Sequence, residues 1–345
     1  MRVAIIGGGV YGYSIAWRLL QAGQSVTLFE QHGALNPHSS SHGLLRIYRH
    51  ATFEGDAYCQ LMNQSRKLWH ELEISQNTSL VNACGCIYIG KPDSELIRES
   101  QRVAGEQGIE VRLGGKADIP WSQFDLKEDE VWILEEGAGM LYSDECVRSL
   151  RMASLEMGLD ERIQKVENLA EIESEFDAVI IAAGRFTNDL LGKEALPLEV
   201  TEQTIAWCSA DGPSYFPVFA HETDTDFIYG FPPTSGNSLM KVGRHNTVDP
   251  GNSELNKGDQ IAARAQTLFP NTVTGLAKQE TCYYTNTPDH HFIVDWFPNH
   301  AKTLVVSCCS GHGFKYAPAI AEHVASTIHS GSLPDALKQF SLNRF

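Results

Sequence analysis

Gly7, Gly9 and Gly12 stand as G-x-G-x-x-G, and Glu30 follows eighteen residues after the last of them. A glycine turn running into a helix leaves backbone amides aimed at an anion, the usual seat of a pyrophosphate. Gly7 permits the tight turn, Gly9 lets phosphate approach the backbone, and Gly12 lets the helix pack closely on its strand. An acid at Glu30 accepts hydrogen bonds from ribose hydroxyls and would repel a 2′-phosphate, which disfavours an NADP-type ligand. The chemistry indicated is the seating of a dinucleotide. The spacing does not separate FAD from NAD, and a βαβ turn with no ligand also uses glycine.

The elements that must position these residues are legible around them. Val3 to Ile6 is a short apolar run, as a buried parallel strand requires. Tyr11 to Leu20 carries apolar residues at helical spacing and Gly23 stops it. Ser25 to Phe29 reads as the second strand, ending on Glu30. Asp177 to Gly184 is another buried strand ending in glycine, so it belongs to the same sheet. Helices are expected over Asp56 to Ile74, Ser94 to Gln107, Cys146 to Met157 (capped by Ser143-Asp144-Glu145), Ser253 to Leu268 and Ala317 to His329. Strands are expected over Cys84 to Gly90, after the turn at Gly137 up to Tyr142, and over Thr303 to Cys308. Ile205 to Val248 reads as short alternating strands of an antiparallel sheet, with Leu196 to Val200 as the link into it.

The chain has 345 residues, enough for two domains, with 27 Lys plus Arg against 43 Asp plus Glu and a formal charge of −16. That sign disfavours nucleic acid and anionic membranes as partners. No apolar run has the length of a membrane span, and the N-terminal apolar stretch is the first strand rather than a signal peptide. Eight cysteines without a secretory signal read as reduced thiols, which points to a cytoplasmic protein. No C-x-x-C pair occurs, so no metal site is expected. The fold class is α/β (α+β): a Rossmann-like βαβ domain, discontinuous over 1–82, 143–198 and 283–345, with a second, mostly antiparallel-sheet domain from 83–142 and 199–282.

Later stretches carry a family pattern. Ser40-Ser41-His42-Gly43 with Arg46-Ile47-Tyr48-Arg49-His50 come first. Tyr229-Gly230-Phe231-Pro232, Lys241-Val242-Gly243-Arg244-His245, Cys282-Tyr283-Tyr284-Thr285 and Ser310-Gly311-His312-Gly313-Phe314-Lys315 follow. In that order they resemble the signatures of the monomeric sarcosine oxidase and N-methyltryptophan oxidase family. The resemblance spans most of the chain. It implies a D-amino-acid-oxidase-like flavoprotein with FAD in the first domain and the substrate site in the second. The implied activity is sarcosine-like oxidation of secondary amino acids, N-methyl or cyclic, with electrons passed to O2 to give hydrogen peroxide. The alternatives are a dehydrogenase with a different acceptor and a flavin-binding protein without turnover. A monomer is expected.

The resemblance also implies roles. Arg49 and Lys315 would clamp a substrate carboxylate, Arg as a fork and Lys as a point charge. Lys241 would stand where oxygen is activated, His245 would face the substrate amine, and Tyr229 and Tyr284 would line the substrate pocket. Cys282 would carry FAD through a thioether. Cofactor contacts would come from Gly7, Gly9, Val10, Tyr11, Gly12, Glu30 and Gln31, from Ser40, Ser41, His42 and Arg46, and from Ala183 and Gly184. Gly311, His312, Gly313, Phe314 and Lys315 would add backbone amides at a helix start. Leu44 and Leu45 replace polar residues usual in relatives, and Arg185 replaces a small or apolar one. Read as residues alone, these cations are surface groups, the aromatics core, and the cysteine an inert thiol.

Overall fold

The protein is described by a computed structural model covering residues 1–212, 215–245 and 257–345. Strand β1 (Arg2–Ile6), helix α1 (Val10–Gln21) and strand β2 (Ser25–Glu30) form the first βαβ unit. A Cβ at Gly12 would meet the Gly7 carbonyl oxygen at 1.8 Å, so glycine is what lets α1 lie against β1. Gly7 itself turns the chain at φ +112°. Next come β3 (Leu45–Tyr48), α2 (Asp56–Gln76), β4 (Val81–Asn82) and β5 (Cys86–Gly90). Helix α3 (Glu95–Gln107) starts on the Ser94 side chain, which accepts from the Ile97 amide, and stops at Gly108 in the left-handed region. It leads to β6 (Arg112–Gly115), β7 (Val131–Glu135), β8 (Gly139–Tyr142), α4 (Ser143–Glu156), β9 (Asp160–Ile163), α5 (Leu169–Glu175), β10 (Ala178–Ile181) and α6 (Thr187–Leu191). The remainder is β11 (Glu199–Ala210), β12 (Val218–Thr223), β13 (Asp226–Phe231), β14 (Met240–Arg244), α7 (Gly258–Leu268), β15 (Val273–Asn286), β16 (Ile293–Trp296), β17 (Thr303–Ser307), α8 (Ala317–Ser330) and α9 (Asp335–Lys338).

Among the described residues the strands form three sheets. The first has the order β16-β17-β10-β1-β2-β9 and is parallel except at β16. Val3 and Ile5 face the core built with α1, α2, α4 and α8, while Ala4 and Ile6 face a second core. Burial on both faces is why the strand reads as an unbroken apolar run. The second sheet has the order β15-β11-β14-β13-β12-β5-β7-β6. It is antiparallel except between β5 and β12, whose parallel pairing joins its two halves. One face packs on α7 through Ile228, Met240 and Val242; the other carries Phe227, Tyr229 and Phe231. A small third sheet has the order β3-β8-β4. Among the described residues, no helix is long and apolar enough to cross a membrane.

Several boundaries differ from the expectations, each for a local reason. The strand expected from Cys84 begins at Cys86, because Gly85 sits at φ +85° and breaks the extended run. Ser143-Asp144-Glu145 do not precede α4 but form its first turn, where Asp144 and Glu145 still complement the helix dipole and Asp144 accepts from the Leu44 amide. The strand expected to Gly184 stops at Ile181, and Gly184, at φ +55°, opens a 3-10 turn. The link at Leu196 to Val200 is shorter, since β11 starts at Glu199. The strand region expected to Val248 ends within the described residues at Arg244, and 246–256, including the expected helix start at Ser253, lie outside them.

Candidate active site

The C-terminal ends of β1, β2 and β10 open into a cavity of about 620 Å³ that continues to the aromatic face of the second sheet. Every residue proposed above for the site lines it except Gly12, whose place is the α1–β1 contact. At the glycine end, α1 has no side-chain cap and no acid in its first turn. Glu30 is buried there, accepting from the Gly8 amide at 2.7 Å and the His32 amide at 2.8 Å. The Ser41 hydroxyl accepts from the Val10 amide at 3.0 Å, and the Tyr11 hydroxyl donates to the Gly313 carbonyl at 2.7 Å. Arg185 donates to the His38 carbonyl and lies 4.0 Å from the Tyr283 ring centroid.

Further in, the Arg46 guanidinium gathers the loop before β3. It donates to the carbonyls of Ser40, His42 and Leu45, and its face lies 5.5 Å from the Phe314 ring. Lys241, on β14, is 4% exposed and donates to the carbonyls of Gly43 at 2.7 Å and Leu45 at 3.0 Å. Burial, with the Arg46 charge beside it, pushes its ammonium down to about 7. Cys282, two residues before Tyr284 on β15, is half-buried on the same lining.

Arg49 and Lys315 meet across the far end, 5% and 4% exposed. Between them lies Glu54, which pattern reading did not single out. Its carboxylate accepts from Arg49 at 2.6 Å and stands 3.6 Å from the Lys315 ammonium. Burial opposes its charge, but Arg49, Lys315 and His312 outweigh burial and hold the carboxyl well below the usual range. Burial would likewise lower Arg49, and Glu54 more than restores it. Lys315 is pushed down by burial to about 8, with Glu54 pulling the other way. It also donates to the His312 carbonyl at 3.0 Å. Burial pushes His245 down to about 4 and His312 to about 3, so both imidazoles are neutral at pH 7. Tyr229 and Tyr284 bring their hydroxyls to 3.3 Å, and the His245 ring lies 6.2 Å from that of Tyr284. Tyr284 crosses Gly311, where a Cβ would meet its ring at 2.6 Å.

The family described as DAO, FAD dependent oxidoreductase, matches residues 2–327. The chain belongs to that family. The DAO-family chain is 29% identical over 371 residues to N-methyl-L-tryptophan oxidase from Yersinia pestis (strain Pestoides F), covering 99% of this chain and 98% of that one. Its fold is that of glycine oxidase from Geobacillus kaustophilus (TM-score 0.80, 18% identity, 100% and 99% covered) and L-proline dehydrogenase from P. horikoshii (TM-score 0.82, 19% identity, 100% and 97% covered). It is an FAD-dependent oxidoreductase of the amine and amino acid oxidase type.

The residues present suit FAD. The start of α1, which has no N-cap side chain, and the Ser41 hydroxyl beside its Val10 amide supply donors where a pyrophosphate would lie. A Cβ at Gly9 would meet the Ser41 hydroxyl oxygen at 3.2 Å, so the glycine keeps that approach open. Arg46, Lys241 and the amides before α8 gather positive potential further along, where an anionic ring edge would be favoured. Leu44 points to solvent, and Leu45 is buried on the lining. What sequence reading missed, Glu54, stands in a loop with no periodic signal, and its clues are a Glu five residues after Arg49 and Gly55 directly after it.

Proposed function

We propose that the chain is an oxidase of secondary amino acids that passes their electrons to O2. The observation that carries this reading is the pair of buried cations, Arg49 and Lys315, converging on one end of the cavity beside a neutral His245. FAD, when bound, supplies the two-electron acceptor. Arg49 and Lys315 hold the substrate carboxylate and so fix the face that the reacting C–H presents. Glu54 keeps both cations charged and in place until that carboxylate arrives. The clamp cations also favour the neutral form of a nearby amine, and His245, held neutral by burial, adds no charge and can share a hydrogen bond with that amine. Tyr229 and Tyr284 close the pocket around the substrate. Lys241 provides the positive charge where O2 is reduced, which favours an oxidase over a dehydrogenase. Arg46 would support negative charge on the ring system, and Cys282 would be the residue that holds it covalently, as a thioether.

The glycine motif, Glu30, Gln31, Ser40 to His42, Ala183, Gly184 and Gly311 to Phe314 hold the cofactor in a domain built from 1–82, 143–198 and 283–345. Segments 83–142 and 199–282 build the substrate domain. The protein works as a cytoplasmic monomer, in keeping with eight free cysteines. The test is anaerobic: N-methyl or cyclic amino acids bleach the visible flavin band of the purified protein, and the same amines without a carboxylate do not. If no secondary amino acid bleaches it, the reading is wrong.

A further inference from the structure

Strand β3 carries the chain to Arg49 and then stops. Its last ladder pair is Tyr48 with Gly139 on β8, so the next amides, those of His50 and Ala51, are buried beyond the ladder and need other acceptors. Glu135, the last residue of β7, takes both, at 2.9 Å and 3.0 Å. The same carboxylate meets the His50 Nδ1 at 2.6 Å and accepts from the Tyr88 hydroxyl at 3.0 Å. Burial opposes its charge, but the His50 ring and the two amides outweigh burial and lower its pKa, so it is ionised at pH 7. An ionised carboxylate only accepts, which makes the His50 Nδ1 the donor. Among the described residues that is the one hydrogen bond of the His50 ring, since its buried Nε2 has no partner.

Two amides could be satisfied by carbonyl oxygens, whereas a carboxylate only 1% exposed carries a desolvation cost. What the carboxylate adds is a hold on the surroundings of Arg49 from two directions. It fixes the backbone directly after Arg49. It also fixes Tyr88 on β5, whose ring centroid lies 5.8 Å from the Arg49 guanidinium, with the Phe53 ring at 4.2 Å. Charge-assisted bonds of this kind are stronger than neutral ones and lock a shell that supports a binding group. Among the described residues no hydrogen bond or ion pair joins Glu135 to Arg49 itself, so the effect passes through His50, Ala51 and Tyr88. Glu54 differs in this respect: it binds the Arg49 guanidinium directly and competes with an incoming carboxylate, while Glu135 leaves that face of Arg49 free.

We infer that Glu135 is a positioning residue of the carboxylate clamp, holding Arg49 in its binding orientation through the His50–Ala51 backbone and the Tyr88 ring. The inference rests on the clamp proposed above. The probe is tetrahydrofuran-2-carboxylate, a cyclic amino acid with oxygen in place of the amine, compared with its uncharged carboxamide. Each is titrated into the holoenzyme and read from the visible flavin band. Wild type should bind the carboxylate more tightly than the carboxamide. Glu135→Gln should weaken the carboxylate about tenfold or more and the carboxamide by less than about twofold. KM for an N-methyl amino acid should rise more than kcat falls, and reoxidation by O2 should stay unchanged. His50→Gln with Tyr88→Phe removes two donors from the carboxylate and should weaken tetrahydrofuran-2-carboxylate about threefold or more, which gives the same reading should Glu135→Gln fail to fold. Equal weakening of both ligands, no weakening of either, or a matching loss in reoxidation would overturn the inference and leave the clamp standing. A wild type that does not prefer the carboxylate would overturn the clamp, and this inference with it.

Discussion

A lysine ammonium taken out of water loses the hydration that keeps its proton, and at Lys241 the Arg46 charge adds to that loss. Its pKa of about 7 lies below the value of an unburied lysine, so the cation is complete at low pH and disappears as pH rises through that value. An anion bound beside it would move the midpoint upward. If Lys241 supplies the charge for O2 reduction, reoxidation of the reduced protein should slow on the alkaline side of a midpoint at or above 7. Lys241→Arg, which stays charged, should flatten that profile. Lys241→Met should slow reoxidation about 100-fold below that midpoint and by less above it, while leaving anaerobic reduction by substrate nearly unchanged. Stopped-flow traces of the two half-reactions check this, and equal losses in both would remove Lys241 from the oxygen step.

At the scale of elements, the approach of α1 to β1 depends on one missing methyl group. Gly12→Ala would place a Cβ 1.8 Å from the Gly7 oxygen, and the overpacking should cost about 1–3 kcal/mol. Gly105, inside the exposed face of α3, has nothing within 4 Å of such a Cβ, so Gly105→Ala should stabilise by about 0.5–1 kcal/mol. Thermal unfolding of the two variants should therefore move in opposite directions. The first unit was readable because glycine spacing, apolar runs and a terminal acid all agreed. Strand β15 was not: through most of its fourteen residues it is half-exposed and shows no clean alternation, so only its Cys282 to Thr285 end stood out, and that through family resemblance. Glu54 was hidden for another reason. Its importance lies in Arg49, Lys315 and His312 converging in space, and of that convergence local sequence shows only the spacing from Arg49.

At the scale of the molecule, one cavity is lined from both the largely parallel sheet and the second sheet. A ligand that binds only the folded chain stabilises it by mass action. If the flavin is fixed through Cys282, as proposed, that stabilisation should not depend on free FAD. Acid precipitation should leave the flavin in the pellet of wild type and release it to the supernatant in Cys282→Ser. The Tm of that variant should then rise with added FAD while wild type does not respond. Flavin in the wild-type supernatant would remove the covalent link and leave the fold untouched.

The most direct measurement is to reduce the purified protein anaerobically with an N-methyl amino acid and then admit air. Transfer of electrons from a secondary amine to O2 should restore the yellow band rapidly and yield one molecule of hydrogen peroxide per amine oxidised. A band that stays bleached in air, with no peroxide, would contradict an oxidase and assign the electrons to another acceptor.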